Sequence, residues 1–322
     1  MLSVHNLGAG RLACASPGAI GPETVWIDLV DPTPEEDRIV ERDLGVSIPT
    51  RAEAREIEAS SRLYRENNAV YMTVFVIYNA DAEVPDGATV TFVLAGSRLV
   101  TIRYHEPRAF PIYAARAAKG EIDCGSAPLI LIGILETIID RAADVIERSQ
   151  DKIERIARGV FGDRQRRRFA ERRLDVVLRD IGRQGDITAR LEESAFSLER
   201  ALSYLGAALR ERGDAAAAHA RVETALRDVR SLSEQMRFLM ERTTFLLDAT
   251  LGAISIEQNN TMKVFSLVAV TLMPPTLIGS IYGMNFKHMP ELDWPWGYPI
   301  ALVCMLLSGL LPYVVCRWRG WI

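Results

Sequence analysis

Asn259, Met262, Ser266, Ala269, Met273, Thr276, Ser280 and Gly283 recur at steps of three and four. At that spacing they share one face of a helix. The face holds small, polar or thioether side chains, while Val264, Leu267, Val268, Val270, Leu272, Leu277, Ile278 and Ile281 occupy the other faces. In an apolar segment, a one-sided row of this kind suits the wall of a water-filled path. The competing expectation is that small residues only let packed helices approach. Other chemistry is thinly represented. Cys14, Cys124, Cys304 and Cys316 form no CxxC pair, and His5, His105, His219 and His288 fall at no metal-ligand spacing. Neither a zinc centre nor a disulfide framework is expected. With no nucleophile beside a base and no phosphate loop, neither an enzyme nor an organic cofactor is expected.

The row lies in one of two uncharged runs, Val264 to Phe286 and Trp294 to Cys316, each of 23 residues. At about 1.5 Å per residue each makes a helix of roughly 34 Å, enough to cross a hydrocarbon core. Only Lys287 to Asp293 separates them, so the two form an antiparallel hairpin in the lipid bilayer. Lys263, Arg317 and Arg319 flank its outer ends against a lone Lys287 in the loop. The positive-inside rule then puts both termini in the cytoplasm of a multi-pass inner-membrane protein. Trp294, Trp296, Tyr298, Trp318 and Trp321 sit where interfacial rings belong. Two helices enclose no lumen, so a pore requires several copies of the chain.

The rest of the chain divides by its prolines. Of 15, nine lie at or before Pro128 and six at or after Pro274, so residues 129–273 read as long helices. Val222, Leu226, Val229, Leu232, Met236, Leu239, Thr243, Leu246, Thr250 and Ile254 draw an apolar stripe along them. With no strong breaker before the first span, one helix is expected from about Asp214 to Tyr282. Upstream, Val25 to Val30, Ala69 to Tyr78, Ala88 to Leu94 and Leu99 to His105 read as strands of one sheet. Thr33-Pro34-Glu35-Glu36 reads as a helix start, and Arg51 to Arg62 as a further helix. The fold class is therefore an α+β membrane protein. It has a cytosolic α/β domain over 1–127, a long-helix stalk over 128–260 and a transmembrane hairpin over 261–322, with spans at about 264–286 and 294–316. The first twenty residues lack the pattern of a secretory signal. Forty-two acids against 38 bases give a net charge of −4, which makes no case for a nucleic-acid partner. The one basic cluster, Arg164, Arg166, Arg167, Arg168, Arg172 and Arg173, is interleaved with Asp163, Glu171 and Asp175 and reads as a solvated helix end.

Tyr282-Gly283-Met284-Asn285-Phe286 closes the first run, followed by Met289-Pro290-Glu291-Leu292 and by Trp294-x-x-Gly297-Tyr298-Pro299. With Ile256 to Asn259 and Met273 to Leu277, these segments resemble the CorA family of magnesium and cobalt transport proteins, whose signature is a Gly-Met-Asn triplet at the outer end of the first of two C-terminal spans. The order of parts along the whole chain is similar to that family's.

The resemblance implies a homopentameric importer of divalent cations, Mg2+ and with it cobalt or nickel, that closes when cytosolic Mg2+ is high. Gly283, Met284 and Asn285 would then form the selectivity filter. Mg2+ sheds water reluctantly, so neutral amide oxygens of Asn285 accepting from its water shell suit the task. Thr276 offers a hydroxyl ring deeper in, and Met273 and Met262 suit apolar constrictions. The alternative role for Asn285 is a helix C-cap. Glu291 would concentrate cations at the mouth. A regulatory Mg2+ would bind Asp248 together with an acid of the neighbouring domain, for which Asp81, Glu83 and Asp86 are candidates. Lys287, beside His288, stands where relatives often carry an acid, which weakens the field at the entrance. The rival readings are a zinc transporter of the ZntB group and a membrane-anchored sensor without a pore.

Overall fold

In a computed structural model of the chain, the described residues are all except 9, 16–19, 57, 80–81, 83–84, 162–173, 286–288, 291–292 and 320–322. Asp81, Glu83, Lys287, His288, Glu291 and the Arg164–Arg173 cluster therefore lie outside them. The chain forms two compact units, Met1–Leu247 and Asp248–Ile322.

The first unit is built on a seven-stranded sheet. Its strands are β1 (Leu2–Gly8), β2 (Arg11–Ala15), β3 (Thr24–Val30), β4 (Leu63–Glu66), β5 (Ala69–Tyr78), β6 (Asp86–Ala95) and β7 (Arg98–Arg103). They lie in the order β2-β1-β3-β7-β6-β5-β4. All neighbours are antiparallel except β3 and β7, which pair in parallel, Ile27 opposite Val100. The four expected strands are present and share the sheet; β1, β2 and β4 join them at its margins. The period of two assigns each strand two faces. Val70, Met72, Val74 and Val76 with Val90, Phe92 and Leu94 enter one core, while Tyr71, Val93, Val100 and Ile102 enter another on the opposite face.

The second core is closed by α1 (Pro34–Leu44) through Val40. This helix starts as its sequence implies: Thr33 accepts from the Glu36 N–H, Glu36 returns the bond to the Thr33 backbone, and Pro34 opens the first turn. The expected helix over Arg51 to Arg62 does not form as one piece. A short 3-10 turn over Glu53–Arg55 ends at Glu56, whose ψ of 138° is extended, and only one helical turn, α2 (Ala59–Arg62), follows. Arg62 donates to the Glu56 carbonyl at 2.6 Å, a bond that the bend makes available.

The larger core is covered by α3 (Ala109–Lys119), α4 (Ala127–Phe161), α5 (Leu174–Arg212) and the first part of α6 (Ala216–Tyr282). The long helices fall where the proline-free interval predicts them. Polar ties fix their seats. Ser194 of α5 donates to the Phe75 carbonyl at 2.9 Å, and the Phe75 N–H donates to Ser197 at 2.9 Å. Arg221 of α6 clasps Glu136 of α4 with two bonds of 2.6 and 3.1 Å. Along α6, Val222, Val229, Met236, Leu239, Thr243, Leu246 and Thr250 are buried, as the apolar stripe requires.

Where β3 meets β7, Arg103 holds Asp28 through Nη2 at 2.8 Å and Nε at 3.1 Å, both side chains being almost wholly buried. Thr101 donates to Asp28 at 2.6 Å, and the Trp26 indole donates to Thr101 at 3.0 Å. A buried pair satisfied this fully fixes register more than it adds stability, since both ions have left water.

Candidate functional site: one face of the first membrane helix

The second unit comprises the end of α6 and α7 (Gly297–Trp318). Both helices are long and apolar enough to cross a membrane. The expected second span begins three residues later than the uncharged run, because Trp294 to Trp296 form a turn closed by the Gly297 N–H on the Trp294 carbonyl.

The helices pack antiparallel along a seam of small residues. A Cβ built on Gly309 would lie 3.3 Å from Pro275 Cγ and 3.4 Å from the Thr271 carbonyl oxygen, and one on Gly279 would lie 3.4 Å from Met305 Cε. Gly309 thus packs against Pro275 and the Thr271 carbonyl, and Gly279 against the tip of Met305. Pro274 and Pro275 lie within α6, and the missing amide of Pro275 leaves the Thr271 carbonyl without its helical donor, facing Gly309. In the uncharged run of α6 the partly covered residues are Leu267, Thr271, Pro274, Pro275 and Ile278, and on α7 they are Gly297, Ala301, Met305, Ser308, Gly309, Pro312 and Cys316.

This seam decides which face of α6 is free. At about 100° per residue, the row from Asn259 to Gly283 is centred roughly 180° from the seam. Every member of the row is exposed in the single chain, Met262 at 62% and Met273 at 69%. Close packing within one hairpin thus uses a different set of residues. Leu267 and Ile278, two of the residues on the other faces, belong to the seam.

At its C-terminal end α6 stops at Tyr282, with the Gly283 N–H on the Gly279 carbonyl at 3.0 Å and the Met284 N–H on the Ile281 carbonyl at 3.2 Å. A Cβ at Gly283 would come within 3.2 Å of the Gly279 carbonyl oxygen, so a side chain there crowds the final turn. Asn285 follows in non-helical backbone three residues beyond the helix. Gly283, Met284 and Asn285 are exposed at the head of the row. Further in, the Thr276 hydroxyl donates to the Leu272 carbonyl at 2.7 Å. Its proton is thereby occupied, and its lone pairs remain as acceptors.

The chain matches the family described as CorA-like Mg2+ transporter protein over residues 22–317. This chain belongs to that family. It is 34% identical over 327 residues to the magnesium transport protein CorA of Escherichia coli strain K12, covering all of both chains. Its fold is similar to the complete structure of the CorA magnesium transporter from Methanocaldococcus jannaschii, with a TM-score of 0.79 at 18% identity over 100% of this chain and 99% of that one. The ZntB cytoplasmic domain from Vibrio parahaemolyticus is more distant: TM-score 0.54 and 11% identity, over 79% of this chain and 97% of that one. The CorA-family chain therefore has the family's α/β domain, long helix and apolar hairpin.

Of the expected regulatory acids, Asp248 and Asp86 are among the described residues. Asp248 is exposed on α6. Asp86, at the start of β6, lies 3.8 Å from Arg190 of α5. Among the described residues, no group of three His, Cys, Asp or Glu side chains is placed to hold a metal ion. The residue that sequence reading missed is Gly309. Small residues recurring with it on α7, at Ala301, Ser308 and Cys316, were the available signal.

Proposed function

We propose that this CorA-family chain assembles as a homopentamer in the inner membrane, with both termini cytoplasmic, and conducts hydrated Mg2+ inward along the α6 row. The observation that carries this reading is the position of the row opposite the α7 seam, ending at Gly283-Met284-Asn285. Small and polar side chains exposed on the free face of a membrane helix are costly against lipid but suited to a shared aqueous axis. Asn285 would present a ring of neutral oxygens to the ion's water shell, with Thr276 as a second acceptor ring. Met273 and Met262 would be apolar constrictions between polar levels. A ring that reads hydration geometry passes cobalt and nickel with Mg2+. Glu291 would gather cations at the mouth, against the opposing charge of Lys287.

Closure by cytosolic Mg2+ would use Asp248 and an acid of an adjacent subunit, Asp86, Asp81 or Glu83. Two carboxylates brought together repel, and a divalent ion between them reverses the sign, so the closed assembly is held only while the ion is bound. The test is uptake of Mg2+, Co2+ and Zn2+ into liposomes by the wild type and Asn285→Ala, with oligomer mass measured in parallel. The variant should assemble and lose selective Mg2+ uptake. Uptake equal to the wild type, or a wild type that carries Zn2+ and not Mg2+, would overturn the reading.

A further inference from the structure

Beyond Met72 the edge of β5 is no longer paired with β4, and α5 lies against it through Ser194 and Ser197. At this corner a cavity of about 270 Å³ opens, with Arg51, Arg62, Thr89 of β6, Tyr104 and Glu193 of α5 on its wall. Its two guanidiniums are anchored but not neutralised. Arg51 lies over the Tyr104 ring, 5.2 Å from its centre, and Arg62 Nε donates to the Glu56 carbonyl at 2.6 Å. Among the described residues neither has a carboxylate at ion-pair distance. Two nearby acids are committed elsewhere: Glu53 accepts from the Thr50 N–H at 2.7 Å and hydroxyl at 2.8 Å, and Asp86 faces Arg190 at 3.8 Å. Asp31 and Asp37 act on the Tyr104 phenol only through space. His105, also on the wall, stacks on Tyr78 at 4.6 Å. Glu193 is the one carboxylate among the described lining residues, and it is exposed.

A guanidinium that is already positioned and has N–H donors to spare suits an oxyanion, and two of them match a dianion. A carboxylate on the same wall repels further negative charge but accepts from hydroxyls. The volume falls below the range of about 300–1,000 Å³ that holds drug-sized ligands, so the occupant is small. We propose that this cavity binds the phosphate monoester of a small hydroxylated compound, its phosphate held by Arg51 and Arg62 and a carbon-borne hydroxyl donating to Glu193. Such a phosphate carries a charge between about −1.5 and −2 near neutral pH. Inorganic phosphate has the charge without the carbon-borne hydroxyls, and an uncharged sugar has the hydroxyls without the charge.

The test is titration calorimetry of the full chain in detergent, at constant ionic strength and constant free Mg2+, with glucose 6-phosphate, sodium phosphate and glucose as probes. Saturable binding of glucose 6-phosphate, several-fold tighter than either of the others, is expected. Arg51→Gln should weaken it by at least about tenfold while leaving the unliganded protein's unfolding temperature nearly unchanged, since Arg51 is exposed and rests only on a ring face. Arg62→Gln serves if that variant does not fold. Glu193→Ala should erase the preference for glucose 6-phosphate over phosphate, because it removes both the acceptor for hydroxyls and the repulsion of the bare anion. Absence of saturable binding, equal affinity for phosphate or glucose in the wild type, or affinities unchanged in the variants would each sink the proposal.

Discussion

Gly309→Leu should uncouple α6 from α7 without touching the row from Asn259 to Gly283. Even the first added atom has little room: a Cβ there would meet Pro275 Cγ at 3.3 Å and the Thr271 carbonyl at 3.4 Å. Gly309→Ala therefore needs its neighbours to give by a few tenths of an ångström, and a cost of about 1 kcal/mol or less is expected. Leucine adds three further carbons to the same gap, and overpacking of that kind costs about 1–3 kcal/mol. That corresponds to roughly 5- to 150-fold in the packing equilibrium of the hairpin. The push falls on Pro275, beside Thr276 and two residues from Met273, at the point where the helix has already lost a backbone bond. Mg2+ uptake into liposomes should drop sharply for leucine and mildly for alanine. The thermal unfolding of a cytosolic fragment is not needed as a control. Leu307→Ala, at an exposed α7 position, supplies one and should leave uptake unchanged. If Gly309→Leu transports and assembles as the wild type does, the seam is not where the backbones are held, and the assignment of the free face loses its basis.

Three other outcomes follow from the same geometry. Met273→Asp should hydrate the constriction, so that uptake becomes less sensitive to internal Mg2+; unchanged inhibition in a flux assay would remove Met273 as a gate. Asp248→Ala should reduce both Mg2+ inhibition and the Mg2+-dependent protection of the cytosolic domain from protease, and persistence of both at the wild-type concentration would make Asp248 an ordinary solvated acid. Asp28→Ala leaves the buried Arg103 charge without its carboxylate, with only the His105 carbonyl and the Phe110 ring against it, a loss of about 3–5 kcal/mol. For a unit of this size that lowers the unfolding temperature by about 6–20 °C, read by calorimetry; a shift below about 2 °C would mean that water reaches Arg103.

The hairpin and the long helices were legible because their signals are local. An uncharged run reads as a span whatever surrounds it, and the absence of proline over 129–273 permits helix over its whole length. The start of α1 was legible for the same reason, since Thr33, Pro34 and Glu36 satisfy its first turn among themselves. The margins of the sheet were not. β1 carries His5 and Asn6 mid-strand, and His5 is accommodated by stacking on Trp26 at 4.2 Å, a contact with a strand eighteen or more residues away. The Arg51 to Arg62 segment has helical composition, but Thr50 and Glu53 tie off its first turn at 2.7 Å and the chain turns extended at Glu56.

The row from Asn259 to Gly283 was determined by sequence alone, because helical periodicity is a property of the chain itself. Which way that row faces was not, since orientation depends on a second helix. Gly279, Gly309 and Pro275 set it by admitting a close approach on the opposite side. The parallel pairing of β3 with β7 is likewise a tertiary result. Asp28 and Arg103 are 75 positions apart, and nothing local distinguishes them from solvated charges until the sheet brings them to 2.8 Å and excludes water. Charge pairing across such a distance depends on desolvation, and only the folded chain creates it.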